Sequence, residues 1–117
     1  MVILDSDHSK AHVLAEMKAY APLVSKDSYL IVQDTNVNGH PVLEKFGPGP
    51  MEAVNEFLAT NDEFHRDREA ERLMFTMHPK GYLKKIKRSR FMNLLGIAVK
   101  HYLSLLTSTL QRTPEIP

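Results

Sequence analysis

Residues 2–35, "VILDSDHSKAHVLAEMKAYAPLVSKDSYLIVQDT", decide the fold. Val2, Ile3 and Leu4 are aliphatic and stop at an acid, as a short buried strand does. Between Ser9 and Val24 the residues Val13, Leu14, Met17 and Ala21 fall on one face of a helix. Ser9 stands where an N-cap is needed, and Pro22 must end the helix or distort its last turn. Residues 28–33, "SYLIVQ", then run apolar without alternation, which suits a parallel strand covered on both faces. Strand, helix and strand in that order predict a βαβ unit in a parallel sheet, with a right-handed crossover.

The rest of the chain is read against that unit. "DTNVNGHPVLEKFGPGP", residues 34–50, is rich in Asn, Gly and Pro and is a long loop, a kind that is often functional. Its "GPGP" is no phosphate loop, because prolines lack the amide donors that cradle an anion. Gly47 and Gly49 are therefore turn residues. A second helix is predicted over 50–60, with Pro50 in its first turn and Met51, Val54, Phe57 and Leu58 as its apolar stripe. Residues 63–68 and 71–77 read as strand material around a polar turn, although "EAERLMF" also fits a helix. "HPKGY" is a turn, "LKKI" opens a last strand, and 89–110 form an amphipathic helix.

The chain of 117 residues suffices for one modest domain. It has no cysteine, which excludes disulfides and thiolate zinc sites and fits a reducing compartment. The early acids do not fit a secretory signal, and Lys100 and His101 interrupt the apolar stretch 91–110, so the expected location is the cytoplasm. The net charge of +1 hides an asymmetry: residues 1–80 carry eight Lys/Arg against thirteen Asp/Glu, and residues 81–117 seven against one. A tail of that kind can touch an anionic membrane surface through Lys84, Lys85, Lys87, Arg88 and Arg90, although packing on the sheet or a partner chain is the favoured reading. Nucleic acid is disfavoured, since no aromatics interleave with the basic run.

In an open parallel sheet, ligands bind beyond the carboxyl ends of the strands. Asp5 and Asp7 follow the first strand; Gln33 and Asp34 follow the second. If the strands are neighbours, their ends lie about 5 Å apart, and oxygens from both can converge on one cation. Such donors suit Mg²⁺, Mn²⁺ or Ca²⁺. Asp7 can instead cap the helix or pair with Lys10. His8 and His40 are the available proton acceptors, although a loop histidine is more often solvated or capping.

"LDSDHS", "HVL", "LIVQDT", "NGHPV" and "GPGPMEAVNEFL" occur in that order, and together they resemble the cephalosporin hydroxylase family, also labelled rhamnosyl O-methyltransferase. The resemblance covers roughly residues 2–86. It implies a partial class I methyltransferase fold that uses S-adenosylmethionine, with a divalent ion such as Mg²⁺. The implied ligands are Asp7, with Asp5 as the alternative, then Gln33 and Asp34; Asp7 and Asp34 are the implied catalytic residues. The family's usual residue before "DT" is Glu. Gln33 keeps a carbonyl oxygen but removes a negative charge, so weaker affinity is expected.

The implied reaction is metal-assisted O-methyl transfer to a small-molecule hydroxyl, a sugar being one candidate. The resemblance starts inside what looks like the fourth strand of such a domain, without the glycine-rich cofactor half. It therefore implies a fragment: residues 1–88 as the C-terminal half of the domain, and 89–117 as a helical tail. A non-catalytic metal-binding or dimerising α/β module is the alternative. The expected partners are then a second copy or a complementing N-terminal half, because an unpaired strand edge invites pairing.

Overall fold

The computed structural model describes residues 1–72, 75–87 and 90–110. Its elements are β1 (Val2–Leu4), α1 (Lys10–Tyr20), β2 (Tyr29–Val32), α2 (Pro50–Thr60), β3 (Phe64–Arg66), β4 (Tyr82–Lys85) and α3 (Arg90–Leu110). Short 3₁₀ turns cover Ala21–Leu23 and Arg68–Glu71. The sheet order is β1-β2-β4-β3. β1 and β2 are parallel, with Leu4 opposite Val32; β4 is antiparallel to both β2 and β3. The fold is thus α/β with a mixed sheet, consistent with a partial Rossmann-like domain.

The helices form where the apolar spacing places them. Val13, Met17 and Ala21 are buried, and so are Met51, Val54 and Phe57 of α2. α1 lies against α2, and the two helices share one core with Leu4, Leu30, Val32, Phe64 and Leu83 of the sheet. The Phe57 and Phe64 rings meet edge to face at 5.8 Å. Each large aliphatic side chain so covered contributes about 1.5–3 kcal/mol. Pro22 ends α1 by tightening its last residues into the 3₁₀ turn.

Three expectations are corrected. The two parallel strands are not covered on both faces: along β2, Leu30 and Val32 are buried while Tyr29 and Ile31 are only partly so, and Ile3 of β1 is 49% exposed. The helices pack on one face, so alternation returns. Residues 71–72 and 75–77 are not strand, while 73–74 lie outside the described residues. The hairpin pairs Phe64–Arg66 with Tyr82–Lys85 across a long connection whose polar side chains fold back. Thr76 Oγ1 accepts from the His78 N–H, and Glu71 Oε1 accepts from the Lys80 N–H.

The third correction is Lys85. Within the basic run that could touch a surface, its side chain is 1% exposed and so not on offer. β4 alternates, so Leu83 and Lys85 both face the core. The Lys85 ammonium donates to the Ala21 carbonyl at 2.7 Å, lies 3.4 Å from Glu63 Oε2 and sits 5.2 Å from the centre of the Phe64 ring. It thereby adds a charge-assisted donor to a carbonyl where α1 passes into the 3₁₀ turn, which the Val24 N–H also reaches at 3.3 Å. Lys85→Ala should cost about 3 kcal/mol, from the cavity and the lost charge-assisted bond. Lys85→Met, which keeps the volume, should cost roughly half as much. Urea unfolding with an unchanged m-value checks both.

In α3 the described apolar residues, among them Leu94, Ile97, Tyr102 and Leu103, are exposed. No described helix is long and apolar enough to cross a membrane. Arg88 and residue 89 lie outside the described residues.

Candidate metal centre

β1 and β2 end level with each other, and the Gln33 N–H donates to the Leu4 carbonyl at 3.0 Å. Asp5 therefore leaves one strand end beside Gln33 and Asp34 leaving the other. Asp34 adopts a left-handed conformation, φ +49°, which Asp tolerates better than most residues. This turns the chain sharply at the strand end. Segment 76–79 pins the turn: the Asp34 N–H donates to His78 Nδ1 at 3.0 Å, and Thr35 Oγ1 donates to the Pro79 carbonyl at 2.7 Å.

The structure brings Asp5, His8 and Asp34 together. One ligand atom from each lies within 4.8 Å of the other two. His8 Nε2 is 2.9 Å from Asp34 Oδ2 and 3.8 Å from Asp5 Oδ1. The 2.9 Å contact is close enough for an ion pair but is not aligned as a hydrogen bond, and Nε2 is buried without a hydrogen-bond partner. The Gln33 side-chain amide faces both Asp5 oxygens at 3.3 Å, and with no ion between them its nitrogen is the end assigned to that side. Turned that way Gln33 steadies Asp5; turned over, it presents its carbonyl oxygen at the same place.

Asp7 is placed elsewhere. Its Oδ1 accepts from the Ser9 N–H at 2.7 Å, closing a turn ahead of α1. The Ser9 hydrogen bonds hold its carboxyl below the ordinary range. The Ser9 side chain itself makes no capping bond. His40 is also away from the cluster. Its Nε2 lies 2.8 Å from Glu52 Oε1.

Glu52 tethers the loop between β2 and α2. Besides contacting His40, it accepts from Asn38 Nδ2 at 3.2 Å and from the Gly49 N–H at 2.7 Å. Burial pushes the Glu52 carboxyl up, but the bonds from His40, Gly49 and Asn38 outweigh burial and bring it down to about 2. Close approach holds the loop's far end: the Lys10 N–H donates to the Pro48 carbonyl at 3.0 Å, and a Cβ on Gly49 would meet Val37 at 3.1 Å. A depressed carboxyl stabilises the fold fully above its ordinary value and loses that contribution as pH falls through the folded value. Stability should therefore drop by on the order of 2 kcal/mol between about pH 5 and pH 2. Glu52→Gln should flatten that part of the profile, as read by urea unfolding at pH 6, 4 and 3.

The residues present fit a divalent cation. Two carboxylates and an imidazole converge, and the imidazole nitrogen is a buried atom lacking a hydrogen-bond partner. An α/β domain with such groups beyond the carboxyl ends of parallel strands belongs to the class that binds ligands at that edge.

Comparison with known proteins gives the family. The family model for rhamnosyl O-methyltransferase/CmcI matches residues 1–86, and the chain belongs to that family. It is 54% identical over 86 residues to rhamnosyl O-methyltransferases of Mycobacterium tuberculosis H37Rv and Mycobacterium bovis BCG Pasteur. It is 46% identical over 83 residues to that of Mycobacterium leprae. These matches cover 69% of the chain but only 34% to 36% of the relatives, so the chain spans about a third of their length. No solved structure matches it.

Proposed function

We propose that the chain carries the cation-binding part of a metal-assisted O-methyltransferase that uses S-adenosylmethionine and acts on a hydroxyl of a sugar or another small molecule. One observation carries this reading: Asp5, His8 and Asp34 converge where two parallel strands end. Family membership and the relatives' names support the reaction class.

A bound dication would supply Lewis acidity, lowering the pKa of an acceptor hydroxyl. The chain's own residues do the rest. Asp5 and Asp34 hold the charge, Gln33 keeps the Asp5 carboxylate in place, and the αL turn at Asp34 fixes the distance between them. The loop tethered by Glu52 shapes the approach beside His8. Bound S-adenosylmethionine would supply the methyl group, its carbon–sulfur bond giving way to the new carbon–oxygen bond and its thioether keeping the electron pair. The hydroxyl proton passes to solvent, to which the exposed Asp5 side of the site is open. Asp7, held by Ser9, makes a poor proton acceptor. None of the five glycines lies between β1 and α1, and no residue is assigned to the cofactor.

The test is methyl transfer from isotopically labelled S-adenosylmethionine to a rhamnosyl acceptor. It is run with the full chain alone and with the separately produced remainder of a relative. Transfer in either arm that is lost on chelation and regained with Mn²⁺ or Mg²⁺ supports the reading. Transfer indifferent to chelation, or none in either arm, contradicts it.

A second reading, a metal-binding module that pairs with another chain, is favoured by the position of β1 at the sheet edge with Ile3 half exposed. Sedimentation separates the two: a concentration-dependent dimer that Ile3→Lys abolishes supports pairing through β1.

A further inference from the structure

We propose that α3 is a dimerisation helix, which pairs antiparallel with α3 of a second copy along Leu95, Val99, Tyr102 and Leu106. α3 takes no part in the core. Residues 94–104, 106 and 107 are all exposed, and among the described residues α3 packs on no element as α1 packs on α2. α1 and α2 bury their own apolar faces, so neither is free to cover it. A 21-residue helix whose apolar side is bare is marginal in water and is stabilised by a packing partner. The family match ends at residue 86, before α3 begins at Arg90, so the metal centre and the chemistry give α3 no occupant.

The spacing identifies the occupant. Leu95, Val99, Tyr102 and Leu106 recur at i, i+4, i+7 and i+11, the a/d repeat of a coiled-coil seam. At about 100° per residue they lie within about 60° of one another around the helix. Each is between 43% and 63% exposed. Turned end over end, the series matches itself: Leu95 meets Leu106, and Val99 meets Tyr102, a small side chain against a large one. A two-fold interface between copies requires such self-complementarity. Charge does not oppose the pairing. Lys100 lies on the side of the helix away from the seam, and no acidic residue occurs between 90 and 110. Antiparallel packing also brings each positive helix end to the other's negative end. At roughly 100 Å² for each apolar side chain covered, the seam and the neighbouring Leu103 remove about 1,000 Å² from water over two copies. That is about the least expected of a specific interface.

The test is analytical ultracentrifugation of the full chain, which should show a dimer forming with rising concentration. Tyr102→Glu should raise the dissociation constant at least about 100-fold, because each dimer would then bury two charges. Ile97 is 64% exposed on the opposite side of α3, and Ile97→Glu should leave the constant within about threefold of normal. Both positions lie outside the core, so both variants keep the fold, which thermal unfolding checks. The chain has no cysteine, so introduced cysteines report the orientation. Mixed Leu95→Cys and Leu106→Cys chains should cross-link on mild oxidation, and Leu95→Cys alone should not. Chelation should change none of these results, so the pairing and the metal centre stand or fall separately. The proposal is overturned if the chain is a monomer, including one that sediments with anionic vesicles, or if the dimer survives Tyr102→Glu. It is equally overturned if Leu95→Cys alone cross-links, or if the dimer is lost in Ile3→Lys, at the β1 edge, and kept in Tyr102→Glu.

Discussion

Gly81→Ala should lower stability by about 3 kcal/mol, at the upper end of what overpacking costs. Gly81 precedes β4, and its carbonyl accepts from the Val32 N–H at 2.9 Å, tying the end of β2 to β4. A Cβ built there would clash with the Val32 carbonyl oxygen and crowd the His78 carbonyl at 3.1 Å. Both obstacles are backbone, so no side-chain rotation relieves them. The strands would have to part at the point where Gln33 and Asp34 leave the sheet. The same change should therefore loosen the turn that presents Asp34. Thermal unfolding reads the first effect, and hydrogen exchange at the Val32 and Asp34 amides reads the second. An alanine variant as stable as the unaltered chain would mean that this junction yields freely.

The second large effect is on cation binding. Asp34→Ala should weaken Mn²⁺ binding by at least about 100-fold, since loss of an outer partner alone commonly costs 10–100-fold. The substitution removes one of two carboxylates and leaves alanine in a left-handed conformation, which adds a stability cost of about 1 kcal/mol. Asp34→Asn separates the two contributions. Asparagine tolerates the left-handed turn, so its stability should be near normal while the lost charge still lowers affinity. Affinity that falls only in step with stability would make Asp34 a structural residue.

The parallel pair was legible because "VIL" and "YLIV" are unbroken apolar runs on either side of one amphipathic stretch. α2 was legible to the residue because Gly49 and Pro50 mark its start. Convergence of the strand ends then followed from topology. The choice between Asp5 and Asp7 did not. Spacing of i, i+2 cannot show that Asp7 folds back onto the Ser9 N–H, and the family resemblance pointed to Asp7 first. His8 was visible only as a loop histidine. Its approach to Asp34 depends on the left-handed turn at Asp34, which a one-dimensional pattern does not encode.

Lys85 is the plainest miss. Read along "KKIK" it looks accessible, and only strand alternation, with the Ala21 carbonyl and the Glu63 carboxylate within reach of the ammonium, places it inside. Residues 71–77 have strand-like composition, but their neighbours Glu71, Thr76 and His78 spend their hydrogen bonds locally and on Asp34. Glu52 was findable, for an acid three residues after the N-cap, here Gly49, is a capping signature.

Calorimetric titration of Mn²⁺ into Asp5→Ala, Asp7→Ala and the unaltered chain tests the central claim most directly. The metal centre described here predicts one site in the unaltered chain, its near-complete loss in Asp5→Ala, and affinity within about threefold of normal in Asp7→Ala, where only an outer turn is disturbed. Binding that survives in Asp5→Ala and disappears in Asp7→Ala would contradict it.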